Sequence, residues 1–253
     1  MLLGPVPAVA ECVVREKAQQ IGAPLVRIYH SASIVLRSCT DGVQSFDMKT
    51  AQGEYHDLCA PLRGPQQVHS STMAVLAAEW IGRHFSPITA TQIQDGVKAT
   101  TWPGRIHVVR EQPRIVLDGA HNPDAAENLV RFLDAEFRGG DLLVIFGAMR
   151  DKDYLTFGHL LFPRARRVFL TRSKNSRFAE VDTLVAAFQP DFPEKMSGSS
   201  SLAQALEEAV SLARPESWIV VTGSLYLVGE AMRILNLDPL APAGYPSFGS
   251  LSS

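Results

Sequence analysis

The sequence is poor in cysteine and has no long apolar run. Only three of the 253 residues are cysteines, Cys12, Cys39 and Cys59, and no two of them form a C-x-x-C pair. An odd number without metal-type spacing argues against a disulfide framework or a zinc site. We therefore expect three buried or half-buried small side chains in a reducing cytoplasm. No apolar run approaches the ~18 residues that span a bilayer, and the apolar start lacks the basic residues of a signal peptide.

An excess of charge of one sign is also lacking. The 24 Lys and Arg and 26 Asp and Glu residues give a formal net charge of −2, so we expect neither nucleic acid nor an anionic membrane as partner. Several motifs are missing as well: the P-loop G-x-x-x-x-G-K-[ST], G-x-G-x-x-G, G-x-S-x-G and H-E-x-x-H. Most histidines are scattered without metal-ligand spacing, and we predict no metal site in this chain.

The apolar pattern changes near residue 105. Before it, we predict a helix over residues 8–20, a strand at 25–29 and a β-hairpin that turns at Asp41-Gly42. Two helices follow, over 71–84 and 91–98, the second capped by Thr89 or Thr91. In the first of these, apolar side chains recur at helical spacing and predict one buried face. They are Met73, Leu76, Ala77 and Trp80.

From residue 114 onward, short apolar strands alternate with amphipathic helices. The strands are predicted at 115–117, 142–146, 168–170 and 218–221, and the helices at 123–136, 179–188, 202–213 and 225–235. This alternation is typical of an α/β fold with a mostly parallel sheet covered on both faces. Such sheets bind ligands beyond the carboxyl ends of their strands. The tail over 239–253 is rich in Pro, Gly and Ser, and we expect it to be disordered.

Residues 118–123 (D-G-A-H-N-P) follow the first of these strands directly. Gly119 permits a tight turn, and Asn122 and Pro123 suit the cap and the first position of a helix. This arrangement would direct His121 and the free helix amides to where a phosphate or carboxylate could bind. The alternative is that Asp118 and Asn122 only brace the turn.

Three further segments could carry chemistry. Residues 102–105 (W-P-G-R) form a rigid turn whose Arg105 could hold a phosphate. Residues 147–153 follow a strand with dense charge, and residues 222–224 (T-G-S) again join a strand to a helix. Each has a simpler alternative: an exposed linker arginine, a solvated loop and a capping serine.

In this order, the segments resemble folylpolyglutamate synthases and dihydrofolate synthases of the Mur ligase superfamily. The most specific part is D-G-A-H-N-P after W-P-G-R, and the resemblance covers roughly residues 2–236. It implies that residues 1–104 are the C-terminal part of a central α/β ATPase domain. Residues 105–238 would be a Rossmann-like C-terminal Mur-ligase domain with a mostly parallel sheet.

The resemblance also implies an activity, an ATP- and Mg²⁺-dependent ligase. A folate or dihydropteroate carboxylate would be phosphorylated and then joined to L-glutamate. The catalytic candidates would be His121 and Asp118. Arg105 and Asp118 would contact the nucleotide, and His121 would lie near the transferred phosphate and the glutamate. The substrate-binding candidates are Ser224, Lys152 and Asp153. The full-length protein would be a cytoplasmic monomer with small-molecule partners only.

Two features depart from the family. Its G-x-H-Q-x-x-N stretch corresponds to residues 64–70, where Gln66 replaces the histidine and Ser70 replaces the asparagine that faces the nucleotide. The family's P-loop and Mg²⁺ ligands precede the segment that matches Met1. The resemblance therefore predicts an N-terminally truncated chain that does not hydrolyse ATP alone. Alternatives are a non-catalytic relic that binds nucleotide or glutamate, a partner of a separately encoded ATPase half, and another Mur-type amide ligase.

Overall fold

The computed structural model describes residues 1–237. The chain separates into two compact units, Met1–Thr100 and Thr101–Ser253, with a division four residues before the predicted boundary at 104/105. The predicted tail over 239–253 lies outside the described residues. Within residues 1–237, none of the helices has the length and apolar content that crossing a bilayer requires.

The first unit combines small sheets with helices. Its elements are β1 (Leu2–Leu3), α1 (Ala8–Gln20), β2 (Val26–Arg27), α2 (Ile28–Ser31), β3 (Ala32–Thr40), β4 (Val43–Thr50), β5 (Glu54–Arg63), α3 (Gln66–His84) and α4 (Ala90–Lys98). Strands β1 and β2 pair in parallel, whereas β3, β4 and β5 form an antiparallel meander. The predicted hairpin is confirmed, since Asp41 and Gly42 have φ of 50° and 72°, as a type I′ turn requires.

Helix α3 corrects the predicted buried face. It begins at Gln66, five residues before the predicted start at 71. Trp80 is 45% exposed, whereas Glu79 is only 5% exposed. The carboxylate of Glu79 can be buried because it accepts three side-chain hydrogen bonds. The donors are Thr50, Gln52 and Tyr55.

Two smaller predictions for this unit were wrong. Cys12 and Cys39 are exposed and only Cys59 is half-buried, and no disulfide joins the three. The exposed pair lies on outward positions of α1 and β3. The predicted strand at 25–29 is shortened to β2, because the chain turns into the single helical turn α2 at Ile28.

The second unit is the predicted α/β sheet. Its elements are β6 (His107–Glu111), β7 (Arg114–Leu117), α5 (Pro123–Glu136), β8 (Leu142–Phe146), α6 (Tyr154–Leu161), β9 (Arg167–Leu170), α7 (Val181–Phe188), β10 (Met196–Gly198), α8 (Leu202–Leu212), β11 (Trp218–Thr222) and α9 (Leu225–Ile234). The strand order is β10-β9-β8-β11-β7-β6, and only the β6–β7 pair is antiparallel. The predicted mostly parallel sheet is therefore confirmed.

Two apolar layers cover this sheet, one on each face. Helices α5, α6 and α7 pack on one face, and α8 and α9 on the other. Every residue of the central strands β8 and β11 is buried, as expected for strands covered on both sides. Phe146 at the end of β8 lies 5.2 Å from the ring of Phe157 and 5.3 Å from that of Phe162. Burial of one such side chain contributes roughly 1.5–3 kcal/mol.

Candidate functional site

Four strands of the second unit end side by side at one edge of the sheet. They are β7, β11, β8 and β9, in that spatial order, and the loops that follow them are residues 118–122, 222–224, 147–153 and 171–180. Because paired strands lie about 4.8 Å apart, the first and last of these loops start roughly 14 Å apart. We call the four loops the strand-end site, since ligands of parallel sheets bind at this edge.

Glycines bring the backbones of these loops into close approach. A Cβ on Gly119 would lie 2.2 Å from the Leu225 side chain. A Cβ on Gly147 would lie 2.5 Å from the carbonyl oxygen of Thr171, and one on Gly223 would lie 2.6 Å from that of Gly147. At Gly147 and Gly223 no larger residue fits without movement of the backbone, so this part of the floor of the strand-end site is built from main chain, whereas at Gly119 the Leu225 side chain would have to move.

Asp118 is the first residue after β7, and its side chain is buried. Only 6% of its surface is exposed. Its Oδ2 accepts a hydrogen bond from the Ile106 N–H at 2.8 Å, and its Oδ1 accepts from the Ala120 N–H at 2.9 Å. Burial raises the pKa of this carboxyl group. The two N–H donors and the charges of Arg105 and His121 lower the pKa and offset only part of that effect.

The backbone beside Asp118 is sharply bent. Gly104 has φ of 77° and Ile106 has φ of 44°, a conformation that costs a β-branched residue about 1–3 kcal/mol. A hydrogen bond to a charged acceptor contributes about 1.5–3 kcal/mol, so the bond from Ile106 to Asp118 is strong enough to hold the bend. Between them, Arg105 is half-buried, and its guanidinium makes no hydrogen bond or ion pair with residues 1–237.

His121 is half-buried and held in one orientation. Its Nδ1 lies 2.9 Å from the carbonyl oxygen of Gly119. A carbonyl oxygen can only accept, so Nδ1 carries a proton, and whenever the ring is neutral Nε2 holds the free lone pair. Among the described residues, Nε2 has no hydrogen-bond partner. The ring can therefore take a proton from a ligand at the strand-end site.

Three polar side chains of the site cap helices. Asn122 accepts from the Ala125 N–H at 2.9 Å and caps α5, as predicted. Ser224, 2% exposed, accepts a 3.2 Å hydrogen bond from the backbone of the next turn and caps α9. Asp153 accepts in the same way at 3.1 Å and caps α6. All three side chains therefore act as helix caps. Binding of a ligand by the same side chains would be a separate role.

The remaining predicted residues are Lys152 and Ser70. Lys152 is half-buried in the loop after β8, beside Asp153. Ser70 lies in the first unit, on the exposed side of α3, where its Oγ donates to the Gln66 carbonyl oxygen at 3.3 Å. The structure thus gathers Arg105, Asp118 and His121 with the loops of Lys152 and Ser224 in one unit.

The sequence analysis missed the loop after β9. It pairs with the loop after β8 through an isolated antiparallel bridge between Met149 and Phe178. The Arg150 N–H donates to the Arg177 carbonyl oxygen at 3.0 Å, so the two loops form one fixed rim. The cations on this rim are Arg150, Lys152, Arg172, Lys174 and Arg177. The three cations of residues 172–177 (R-S-K-N-S-R) could have indicated this loop from the sequence.

Carboxylates pair with some of these cations. Arg177 contacts Asp151 at 3.1 Å, and Arg172 pairs with Glu180. Lys152 and Lys174 make no ion pair with the described part of the chain. Within residues 1–237, no group of three or more His, Cys, Asp or Glu side chains could hold a metal ion.

Comparison with known proteins agrees with this geometry. Residues 104–225, which include all four loops of the strand-end site, match the family "Mur ligase, glutamate ligase domain". The chain is 26% identical over 242 residues to the dihydrofolate synthase/folylpolyglutamate synthase of Bacillus subtilis, covering 88% of this chain and 51% of that protein. The chain belongs to the folylpolyglutamate synthase/dihydrofolate synthase family of the Mur ligase superfamily.

Other members of the family extend this comparison. A probable bifunctional folylpolyglutamate synthase/dihydropteroate synthase of Haloferax volcanii is 35% identical over 178 residues, 69% of this chain and 20% of its own length. The Mycobacterium tuberculosis folylpolyglutamate synthase complexed with ADP superposes with a TM-score of 0.85 at 27% identity. That likeness covers 94% of this chain and 55% of the solved one. The chain thus spans about half the length of most of these relatives.

Proposed function

We propose that this chain supplies the amino-acid-accepting part of an ATP-dependent ligase that joins L-glutamate to a folate or dihydropteroate carboxylate. The observation that carries the proposal is His121, whose Nε2 is unpartnered among the described residues and which stands on a main-chain floor at the strand-end site. The match of residues 104–225 to a glutamate ligase domain supports the choice of amino acid.

The chemistry requires an activated carboxylate and a free amine. A carboxylate is a poor electrophile, and bound ATP supplies the phosphoryl group that converts it to an acyl phosphate. The ammonium group of glutamate must lose a proton before its nitrogen can attack the carbonyl carbon. His121 accepts that proton at Nε2, while its Nδ1–H stays bonded to Gly119. The amide bond then forms as inorganic phosphate leaves.

The rim formed by the loops after β8 and β9 provides positive charge for a dicarboxylic amino acid. The rim cations without an ion pair in the described chain are Arg150, Lys152 and Lys174. The Arg150 guanidinium already donates to the Ser176 carbonyl oxygen, which leaves the two lysines for a ligand. A strand spacing of about 4.8 Å places the start of the β8 loop two spacings from the β7 loop. An amine near His121 is thus compatible with a carboxylate near Lys152, with Asp153 and Ser224 lining the same subsite.

Arg105 is assigned to an anionic phosphate, because a guanidinium binds phosphate oxygens in a fixed fork. Ser70 is kept as a nucleotide-binding candidate of the first unit. No metal-binding cluster is found in residues 1–237, and none of these steps is assigned to Mg²⁺. The 253 residues also contain no P-loop motif, so the activity needs a polypeptide or complex that supplies one. We assign the reaction to the cytoplasm.

An incorporation assay tests the proposal. The polypeptide as the cell makes it is incubated with ATP, Mg²⁺, a reduced folate or dihydropteroate, and labelled L-glutamate. We expect labelled amide product that requires every component and that does not form with L-glutamine, which lacks the side-chain carboxylate. ATP-dependent product without a requirement for glutamate would favour another Mur-type amide ligase. Nucleotide or glutamate binding without product would favour the non-catalytic module.

A further inference from the structure

The carboxylate of Asp118 is directed at the backbone. Both oxygens already accept main-chain N–H groups, from Ile106 at 2.8 Å and from Ala120 at 2.9 Å. The residue is 6% exposed, which leaves little of its surface for a ligand. A buried carboxylate satisfied in this way is suited to fixing the conformation of the chain that donates to it.

The chain that donates is the bend over residues 104–106. Gly104 packs closely against the Val228 side chain, since a Cβ at this position would lie 2.8 Å from it. Its carbonyl oxygen also accepts from the Gly119 N–H at 2.8 Å. The hydrogen bond from Ile106 to Asp118 closes the other end, where φ is 44°.

Arg105 lies between these two fixed ends. Its guanidinium has no hydrogen bond or ion pair within residues 1–237, and the charge of Asp118 attracts it, so the bent backbone and Asp118 together set the direction in which the side chain leaves. We propose that Asp118 is a positioning residue, which holds Ile106 in the left-handed conformation and thereby aims Arg105 at an anionic group of the substrate. The identity of that anion rests on the proposed function. Direct contact of Asp118 with the nucleotide is the competing role.

A kinetic cycle on the complete polypeptide separates these roles. Asp118→Asn keeps the size of the side chain but puts an NH₂ group against one of the two N–H donors. Alone, it should lower kcat by about tenfold or more, as a misplaced substrate contact does. In an Arg105→Ala background it should change kcat by less than about twofold, because residues that act as one unit are not additive. Multiplicative losses would overturn the proposal in favour of direct contact.

A second variant guards against misfolding of Asp118→Asn. Replacing the Ile106 amide with an ester exchanges the N–H donor for an oxygen, weakens the Arg105 carbonyl oxygen as an acceptor, and leaves the carboxylate and every side chain in place. The positioning role predicts the same loss of kcat, whereas direct contact predicts normal kcat and normal KM for ATP. An ester at Gln204, whose N–H donates to Ser201 on α8, is the matched control and should be silent.

Hydrogen exchange of the purified chain tests the bend without any assay of activity. The Ile106 amide should exchange about tenfold faster or more in Asp118→Ala than in the wild type, because its acceptor is removed. Unchanged exchange would show that Asp118 does not hold the bend and would overturn the proposal. If exchange accelerates but the wild-type polypeptide makes no glutamyl product, the proposed function is wrong, whereas the role of Asp118 in holding the bend over residues 104–106 is supported.

Discussion

At the scale of single residues, His121 carries most of the proposed chemistry. Its Nδ1–H is held by the Gly119 carbonyl oxygen at 2.9 Å, which leaves Nε2 as the proton acceptor. We predict that His121→Ala lowers kcat by about 10²-fold or more, the usual effect of removing a general base. Initial rates of labelled glutamate incorporation measure this.

A matched histidine serves as the control for that variant. His159 on α6 is exposed and pairs with Asp191 at 2.9 Å, and it has no place in the proposed chemistry. His159→Ala should leave kcat within about twofold of the wild type. Equal rates for His121→Ala and the wild type would show that residues 118–123 only brace the turn.

Glu79 is a buried charged residue of the first unit, and its replacement should lower the free energy of unfolding. Its buried carboxylate accepts hydrogen bonds from Thr50 at 2.6 Å and from Tyr55 at 2.9 Å. Glu79→Gln places donors against donors and should lower the free energy of unfolding by about 1–3 kcal/mol. Urea unfolding measures the change, and Glu16→Gln on the exposed side of α1 should be neutral. A neutral Glu79→Gln would contradict the network.

At the residue scale, sequence reasoning located the polar residues that follow strands, because turn chemistry is local. It assigned Arg105, Asp118 and His121 to one predicted domain, and all three lie in the second unit. It could not give the acceptor of the Ile106 N–H or the pairing of the loops after β8 and β9. Those contacts join positions that are distant in sequence, and they depend on the packing of the sheet.

At the scale of elements, helix caps give a clear test. Sequence reasoning left Thr89 and Thr91 open as the cap of α4. The structure selects Thr89, whose side chain accepts from the Gln92 N–H within a capping box. We predict that Thr89→Ala lowers the free energy of unfolding by about 1 kcal/mol. The exposed Thr91→Ala variant should be nearly neutral, and the reverse order would contradict the assignment.

The contact between α6 and the turn that follows α7 should depend on pH. The hydrogen bond to Asp191, followed by the one to the Leu155 carbonyl oxygen, raises the pKa of His159 above its usual 6.5. A raised histidine pKa stabilises the fold below the unfolded value, and that contribution is lost as pH rises through the folded value. The Tm of the wild type should therefore exceed that of Asp191→Asn by more below pH 6.5 than at about pH 9. A difference that is constant with pH would contradict this.

Elements were predictable where the apolar period was unbroken. The helix at 123–136 is α5 with the predicted bounds, and its apolar face, which includes Ala126, Leu129 and Leu133, is buried. Strands β6 and β10 were missed because edge strands carry exposed polar residues and show little alternation. Helix α6 was missed because it follows the charged loop at residues 147–153. The buried face of α3 differs from the predicted one because Glu79 is buried and Trp80 is not. A carboxylate can occupy a buried position here because its oxygens accept three side-chain hydrogen bonds.

At the scale of the whole molecule, the account depends on the second unit. Its sheet places four loops at one edge, and the family match over residues 104–225 spans all of them. The fold class followed from the sequence because alternating strands and helices allow few arrangements. The proposed activity rests on the order of the motifs, since a fold of this type serves many reactions.

The central claim is that the polypeptide joins glutamate to a carboxylate that has been activated as an acyl phosphate. The most direct measurement uses a folate or dihydropteroate labelled with ¹⁸O in the reacting carboxylate. The account predicts that one ¹⁸O atom appears in inorganic phosphate for each glutamyl bond formed, because the leaving phosphate retains a carboxylate oxygen. Glutamyl product with unlabelled phosphate, or phosphate release that does not need glutamate, would contradict it.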